Sequence, residues 1–141
     1  MISIIRDLLC DHSFQVQINE ILSVRKQVKD GLPQATVISP LLFTLYISEL
    51  TLRSQSKHGE FADDLLVWNR HKNITLLQNI IQEDIYDVCL FSKAFGMSIS
   101  ILKTKAIVFH KQQVTLLKPL RLEESEIVYE PSVWLLGMIL D

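Results

Sequence analysis

Alternating apolar and polar residues near the amino terminus predict a β-hairpin. Residues 14–18 alternate between apolar side chains and glutamine, which is the period-two pattern of a half-buried strand. Residues 24–28 form a second strand candidate, and the polar residues 19–20 between the two strands suit a tight turn. Ahead of the hairpin, residues 1–10 carry their apolar side chains on one side, which predicts the end of a helix.

Two further helices are predicted, and they differ in how many of their faces are apolar. Ser39 suits the N-cap and Pro40 the first position of a helix whose residues 41–50 are apolar on nearly all sides. Such a helix is normally buried. The other helix begins after Asn73, which can serve as its cap, and runs over residues 74–95. Its apolar residues recur at spacings of three and four and form one core-facing stripe, Ile74, Leu77, Ile81, Ile85, Val88 and Phe95.

Short apolar segments separated by polar turns predict strands in the rest of the chain. Residues 61–62 and 65–68 flank two aspartates, which reads as strand, tight turn and strand. Gly96 marks the end of the long helix. Further short strands are predicted at residues 106–109, 120–122, 127–129 and 133–140, with a solvated turn at 123–126. Because hairpins dominate, we predict an α+β fold, an antiparallel sheet with helices packed on one face.

Composition and charge indicate an intracellular globular domain. Hydrophobic residues make up 48% of the 141-residue chain and charged residues 21%, the balance of one folded domain. The net charge of −2 is not the strongly basic balance of a stand-alone nucleic-acid binder. Cys10 and Cys89 fit no zinc pattern, so we expect two buried, reduced thiols. Neither a signal peptide nor an apolar run of bilayer length is evident, so we expect a nuclear or cytoplasmic protein, not secreted and without a membrane partner.

Asp63 and Asp64 are the residues with the most informative chemistry. They lie between apolar neighbours, where an unpaired charge is costly to bury. Adjacent side chains of a regular strand point to opposite faces, so both carboxylates reach one point only if they occupy a hairpin turn. Carboxylate oxygens suit Mg²⁺, and two such ions roughly 3.5–4 Å apart serve nucleotidyl transfer. On the dipeptide alone, a plain solvated turn explains the pair better, because short motifs often match by chance.

The sequence around these aspartates resembles the reverse transcriptases of non-LTR (LINE-type) retrotransposons. Phe61-Ala62-Asp63-Asp64 is similar to their aromatic-Ala-Asp-Asp signature. Residues 31–50, GLPQATVISPLLFTLYISEL, resemble their Gly-x-Pro-Gln-Gly…Ser-Pro-Leu-Leu-Phe segment. Three weaker segments resemble the family in the same order and spacing, LLCDHSFQVQINEILS at residues 8–23, GMSISILKTKAIVFH at 96–110 and WLLGMILD at 134–141. Together the five segments cover almost the whole chain.

The resemblance implies a truncated polymerase palm with incomplete fingers and no thumb. Residues 1–38 would be the end of the fingers and a loop, and residues 39–114 the palm helices and the Asp-Asp hairpin. Residues 115–141 would form a hairpin that resembles a primer grip. The implied activity is RNA-directed DNA synthesis with two Mg²⁺ ions, an RNA template, a DNA primer and deoxynucleotides.

The resemblance also implies roles for individual residues. Asp63 and Asp64 match the catalytic, metal-binding acids, and Asp63 is the more direct ligand. Lys103 matches a lysine near the leaving pyrophosphate, although an ordinary exposed lysine explains it equally well. The expected nucleotide and template contacts are Pro33, Gln34 and Ser39. The expected primer contacts are Phe61, Ala62, Leu136 and Gly137, and a simple turn or bulge is the alternative for Gly137.

Three departures from the family pattern bear on activity. The aromatic-x-x-x-Asp motif that supplies a third metal-binding acid has no match, because Asp7 and Asp11 belong to a later segment. Ala35 replaces the glycine that follows Pro-Gln. Residues 55–60 are polar where an apolar strand should lead into the acidic turn, so we expect a first strand that is either short or badly packed. We therefore expect a fragment that is inactive alone. The alternatives are a non-catalytic retroelement remnant that binds nucleic acid weakly, and an unrelated α+β binding module.

Overall fold

The structure is a computed structural model that describes residues 2–10, 12–28, 31–33, 36–50, 56–110 and 117–141. Its backbone divides into two units, Met1–Glu49 and Leu50–Asp141. Both units contain helix and antiparallel strand pairs, so the predicted α+β class is confirmed. No helix within the described ranges combines the length and the apolar character needed to cross a membrane.

The first unit contains two helices and an interrupted hairpin. Its elements are α1 (Ile2–Leu9), β1 (Ser13–Phe14), β2 (Gln17–Ile18), β3 (Ile21–Leu22), β4 (Lys26–Gln27) and α2 (Ser39–Ile47). β2 pairs with β3 and β1 pairs with β4, both antiparallel, so the hairpin predicted over residues 14–28 is confirmed. Asn19 lies in the predicted turn at a φ of 55°. Where the pairing is interrupted, the backbone N–H of Val16 donates to the Ser23 hydroxyl at 2.9 Å.

The apolar side chains of the first unit are largely exposed, so the expected half-buried strands and buried second helix are wrong. Ile18 is 69% exposed and Ile21 is 77% exposed. No described residue of α2 is buried, and Leu41 and Leu45 are more than half exposed. Among the described residues of this unit, no element buries α2, and a unit this small can bury only a limited share of its apolar surface.

The start of α2 differs by one residue from the prediction. Ile38 occupies the N-cap, Ser39 begins the helix, and Pro40 follows within the first turn. The Thr36 hydroxyl accepts the backbone N–H of Ser39 at 3.1 Å. Thr36 therefore supplies the acceptor that an N-cap side chain normally provides, and the predicted cap at Ser39 is wrong.

The second unit contains three hairpins and one long helix. In chain order its elements are β5 (Lys57–Phe61), β6 (Asp64–Trp68), α3 (Ile74–Ala94), β7 (Leu120–Leu122), β8 (Ser125–Ile127), β9 (Val133–Leu135) and β10 (Met138–Leu140). Each hairpin forms its own two-stranded antiparallel sheet. The single sheet predicted from the sequence is therefore not formed among the described residues. Each strand pairs with the neighbour to which a two-residue loop joins it.

Three predicted details of these strands are corrected by the structure. β5 is five residues long and fully paired with β6, so the alternative of a short first strand is wrong. Three of its five residues are exposed, which agrees with the alternative of a poorly packed strand. Polar side chains do not prevent this, because the pairing uses backbone groups. The strand predicted at residues 106–109 is reduced to one parallel bridge between Ala106 and Tyr129. The turn predicted at 123–126 spans residues 123–124, with Ser125 already paired in β8.

Both predicted end signals of α3 are confirmed. The Asn73 side-chain oxygen accepts the backbone N–H groups of Thr75 at 2.9 Å and Leu76 at 3.2 Å. This is the N-cap arrangement, in which a side chain satisfies donors that have no partner inside the helix. At the other end, Gly96 has a φ of 68°, the left-handed conformation that stops a helix.

The core of the second unit lies where α3 meets β7 and β8. Its buried apolar members are Cys89, Leu120, Leu122 and Ile127. Ile81 and Ile85 pack against this cluster, which confirms the middle of the predicted apolar stripe. Phe95, at the end of that stripe, is 37% exposed.

Two glutamines of α3 bind the backbone beside this core. The Gln82 side-chain amide donates to the carbonyl of Arg121 and accepts its N–H, each at 2.8 Å. The amide thus forms the two hydrogen bonds that another strand would make with β7. Gln78 is 8% exposed and donates to the Lys118 carbonyl and the Tyr129 hydroxyl. These bonds explain why polar side chains lie in the apolar seam.

The two cysteines differ in burial. Cys89 is buried and Cys10 is exposed, so the expectation of two buried thiols is wrong for Cys10. Burial raises the pKa of the Cys89 thiol, the Glu123 carboxylate adds to the rise, and Lys93 opposes it.

We predict that Asn73→Ala lowers the free energy of unfolding by about 1 kcal/mol, because two N–H groups lose their acceptor. Urea denaturation followed by circular dichroism measures the change. Asn79→Ala, at an exposed position inside the same helix, is the control and should leave the midpoint unchanged or raise it. Equal destabilisation by both substitutions would contradict the cap.

We also predict that the two thiols react at different rates. At about pH 8, Cys10 should react with an aromatic disulfide reagent at least about tenfold faster than Cys89, which is buried and has a raised pKa. The reaction is followed by absorbance, and Cys10→Ser should remove the fast phase alone. A single rate for both thiols would show that the core around Cys89 is open.

Candidate active site

The two aspartates lie at the tip of the β5–β6 hairpin. Five residue pairs join the strands, and the last of them pairs Phe61 with Asp64. The loop is therefore Ala62-Asp63, one residue earlier than the predicted turn at Asp63-Asp64, because pairing continues to Asp64. With this shift, the predicted sequence of strand, tight turn and strand is confirmed.

The backbone of this tip depends on an unusual conformation at Ala62. Its φ is 51°, in the left-handed region that a residue with a Cβ atom seldom adopts. Two-residue hairpin loops need such a conformation, because only then does the turn match the twist of the strands. The tip therefore stores strain of about 1 kcal/mol at Ala62, for which the family resemblance implies a primer contact.

The hairpin has one open face and one partly covered face. Leu65 and Val67 are half-buried, whereas Asp64, Leu66 and Trp68 are exposed. Side chains alternate along a strand, so the exposed residues share one face of β6. Asp64 therefore projects from the open face, and α3 contacts the hairpin through β6.

Both carboxylates at the tip are available as ligands. Asp63 and Asp64 are exposed, and neither forms a side-chain hydrogen bond or ion pair with another described residue. Within the described ranges, no group of three or more histidine, cysteine, aspartate or glutamate side chains is arranged to hold a metal ion. The hairpin thus contributes two adjacent carboxylates of the kind that hard cations prefer.

Lys103 lies in a turn that is held by backbone hydrogen bonds. The Ser100 carbonyl accepts the N–H of Lys103 at 3.2 Å and that of Thr104 at 3.0 Å. The Thr104 hydroxyl donates to the same carbonyl at 2.8 Å. Lys103 itself is exposed, so its ammonium group faces solvent on an ordered turn.

Leu136 and Gly137 form the two-residue loop between β9 and β10. Leu136 has a φ of 50° and Gly137 a φ of 82°, as expected for the primed turn that closes tight hairpins. A Cβ atom added at Gly137 would meet nothing within 4 Å, so the glycine is required here for its φ. Trp134 and Met138 on the flanking strands are strongly exposed, which leaves the end of this hairpin apolar and open.

The loop that precedes α2 belongs to the first unit. The Ser39 hydroxyl donates to the Pro33 carbonyl at 2.6 Å, so the structure brings together two of the residues expected on the nucleotide and template side. Gln34 and Ala35 lie outside the described residues.

Sequence patterns did not predict one ion pair beside the Lys103 turn. Lys105 Nζ lies 3.0 Å from Glu130 Oε1, across a separation of 25 residues. Lys105 lies two residues after Lys103, and nothing in the neighbouring sequence identifies Glu130 as its partner. The parallel bridge between Ala106 and Tyr129 brings the two segments together.

Comparison with known proteins supports one family over nearly the entire chain. Residues 1–140 match the family described as Reverse transcriptase (RNA-dependent DNA polymerase). The probable RNA-directed DNA polymerase from transposon X-element of Drosophila melanogaster is 25% identical over 143 residues. That alignment covers 98% of this chain, and the chain spans only 16% of that curated relative. No solved structure matches the chain. The resemblance seen in the motifs is thereby confirmed, and the chain belongs to the reverse transcriptase (RNA-dependent DNA polymerase) family.

Proposed function

We propose that this chain is palm-like and forms part of the catalytic site of a transposon RNA-directed DNA polymerase. The reaction joins a deoxynucleotide to the 3′ end of a DNA primer that is paired with an RNA template. One observation carries the proposal. In a chain of the reverse transcriptase family, the Phe61-Ala62-Asp63-Asp64 signature lies on a tight hairpin with both carboxylates exposed.

The donor set at the hairpin tip fits Mg²⁺. Asp63 and Asp64 offer hard oxygen ligands, and no described side chain competes for either carboxylate. Two bound Mg²⁺ ions would activate the attacking 3′-hydroxyl and stabilise the leaving pyrophosphate. We assign the more direct metal contact to Asp63, because it lies in the loop itself rather than in the paired strand.

The remaining site residues act on the substrates. Phe61 and Ala62 would pack beside the primer strand, and the β9–β10 turn would position the primer end through Leu136 and Gly137. On the nucleotide and template side, Pro33, Gln34 and Ser39 shape the contact surface. Lys103 contributes positive charge near the leaving pyrophosphate, where charge develops in the transition state.

We further propose that polymerisation requires groups beyond this chain. Two-metal nucleotidyl transfer would need several carboxylate ligands, and the described part of the acidic hairpin tip offers Asp63 and Asp64. The Drosophila relative is several times longer than the aligned segment, so a longer polypeptide offers room for the remaining ligands. The 141-residue chain by itself should extend primers too slowly to detect.

A second candidate function is a non-catalytic retroelement remnant with weak nucleic-acid binding. The observation that favours it is the lack, among the described residues, of any group of three side chains that could hold a metal ion. The two candidates differ in one measurable property, which is whether Asp63 binds a divalent cation.

We predict that Asp63→Asn, made in the complete open reading frame, slows primer extension on an RNA template by at least about a thousandfold. Loss of a metal ligand removes several kcal/mol of transition-state stabilisation. Glu60→Gln is the matched control, because Glu60 lies on the same hairpin but pairs with Leu65 on the opposite face. Extension that is equally fast in the parent and in Asp63→Asn would end the polymerase proposal.

We predict that the 141-residue chain binds Mn²⁺, a paramagnetic substitute for Mg²⁺, with a dissociation constant on the order of millimolar. Nuclear magnetic resonance should detect broadening of the amides of residues 61–65. Asp63→Asn should remove this broadening, while Glu60→Gln should retain it. If the parent chain shows no broadening that depends on Asp63, the non-catalytic remnant is the better description.

A further inference from the structure

The Lys103 turn is anchored at both of its ends. On the amino-terminal side, Ile99 and Ile101 pack against the core formed by α3, β7 and β8. On the carboxy-terminal side, the Ala106 N–H donates to the Val128 carbonyl at 3.2 Å. The Ala106 carbonyl in turn accepts the N–H of Glu130 at 2.9 Å. The turn is therefore attached to the segment that follows β8, and Lys103 lies three residues from this attachment.

The Lys105–Glu130 ion pair reinforces the same attachment. Lys105 Nζ lies 3.0 Å from Glu130 Oε1, and the two side chains are 38% and 34% exposed. We call this ion pair, together with the two backbone hydrogen bonds of Ala106, the Lys105–Glu130 clasp. At these exposures solvent screens the pair less than it would screen two fully exposed side chains, so the pair restricts the segments that it joins.

The clasp also lies at the base of the β9–β10 hairpin. Pro131 follows Glu130 directly and has a fixed φ, and β9 begins two residues later at Val133. Next to Glu130, the Tyr129 hydroxyl accepts a hydrogen bond from Gln78 of α3 at 3.2 Å. One short segment is thus tied to the long helix, to the Lys103 turn and to the start of the hairpin that carries Leu136 and Gly137.

We propose that Glu130, acting through Lys105, is a positioning residue that holds Lys103 in register with the primer-end hairpin. The inference rests on the proposed polymerase function, because only there do Lys103 and the hairpin serve one reaction. Glu130 touches neither substrate nor metal in this proposal. Its carboxylate fixes the Lys105 side chain and thereby the turn that carries the Lys103 ammonium group.

The test uses the complete open reading frame and steady-state primer extension. Glu130→Gln keeps the shape of the side chain and removes its charge. It should lower kcat about tenfold and leave the KM for deoxynucleotide within about twofold, because a misplaced catalytic group weakens the transition state more than the ground state. The exchanged pair Lys105→Glu with Glu130→Lys should recover most of the lost rate.

A matched control comes from another ion pair of the same unit, between Lys93 and Glu123. Lys93 and Glu123 are 2.8 Å apart, and their side chains are 66% and 52% exposed. This pair joins α3 to the loop after β7, and neither residue belongs to the Lys103 turn or to the clasp. Glu123→Gln should therefore leave kcat within about twofold of the parent.

A double-mutant cycle separates positioning from general destabilisation. If Glu130 acts through Lys103, then Glu130→Gln should lower kcat by less than about twofold when Lys103 is already alanine. Losses that multiply in the double variant would overturn the inference. A tenfold loss of kcat in the Glu123→Gln control would also overturn the inference. It would show that breaking an ion pair elsewhere on the surface lowers kcat as much as breaking the Lys105–Glu130 pair.

Amide hydrogen exchange tests the stability of the clasp without measuring polymerase activity. In the Glu130→Gln variant, the amides of Thr104 and residue 130 should exchange about fivefold faster than in the parent. Unchanged exchange overturns the clasp even if the polymerase proposal holds. If Asp63→Asn does not slow extension, the polymerase proposal fails first and the positioning role falls with it, whatever exchange shows.

Discussion

The packing of α3 against the β7–β8 hairpin is the interaction on which the second unit depends. Cys89, Leu120 and Ile127 belong to one buried apolar cluster, and the Gln82 amide completes the backbone hydrogen bonding of Arg121 on β7. Apolar packing and hydrogen bonds to the β7 backbone therefore both hold α3 against this hairpin. The packing favours contact, and the hydrogen bonds help to set the position of the helix along the strand. Because α3 also contacts β6, the same helix joins the β7–β8 hairpin to the acidic hairpin.

In the acidic hairpin, the charged side chains of Asp63 and Asp64 lie in sequence between apolar segments. An unpaired charge is costly to bury there, and the short loop leaves both carboxylates in solvent. Exposure makes them ready ligands, because no described partner must be displaced before a cation binds. Two exposed, adjacent carboxylates are oxygen ligands of the kind that hard cations prefer.

Features formed by residues close together in the sequence could be predicted, whereas features that join distant parts of the chain could not. The Asn73 cap, the Gly96 stop and the tight acidic turn depend on residues within four positions of one another, so local patterns identify them. The exposure of α2 differs from the prediction because it depends on distant parts of the chain and not on the local pattern. Its apolar faces predict burial, but burial depends on how much of the surrounding chain is available to cover them. The loop with Gln34 lies outside the described residues, so its predicted role stays a prediction.

By itself, the sequence determined the α+β class, the hairpins, the ends of α3 and the family to which the chain belongs. Those features are encoded by propensities and motifs that act over a few residues. Only the tertiary structure decided that the predicted single sheet is a set of separate hairpins, that Gln78 and Gln82 bind backbone groups, and that Lys105 meets Glu130. Each of these joins positions at least 25 residues apart or depends on lateral strand pairing. Such contacts are set by how the whole unit packs, and no short stretch of residues carries that information.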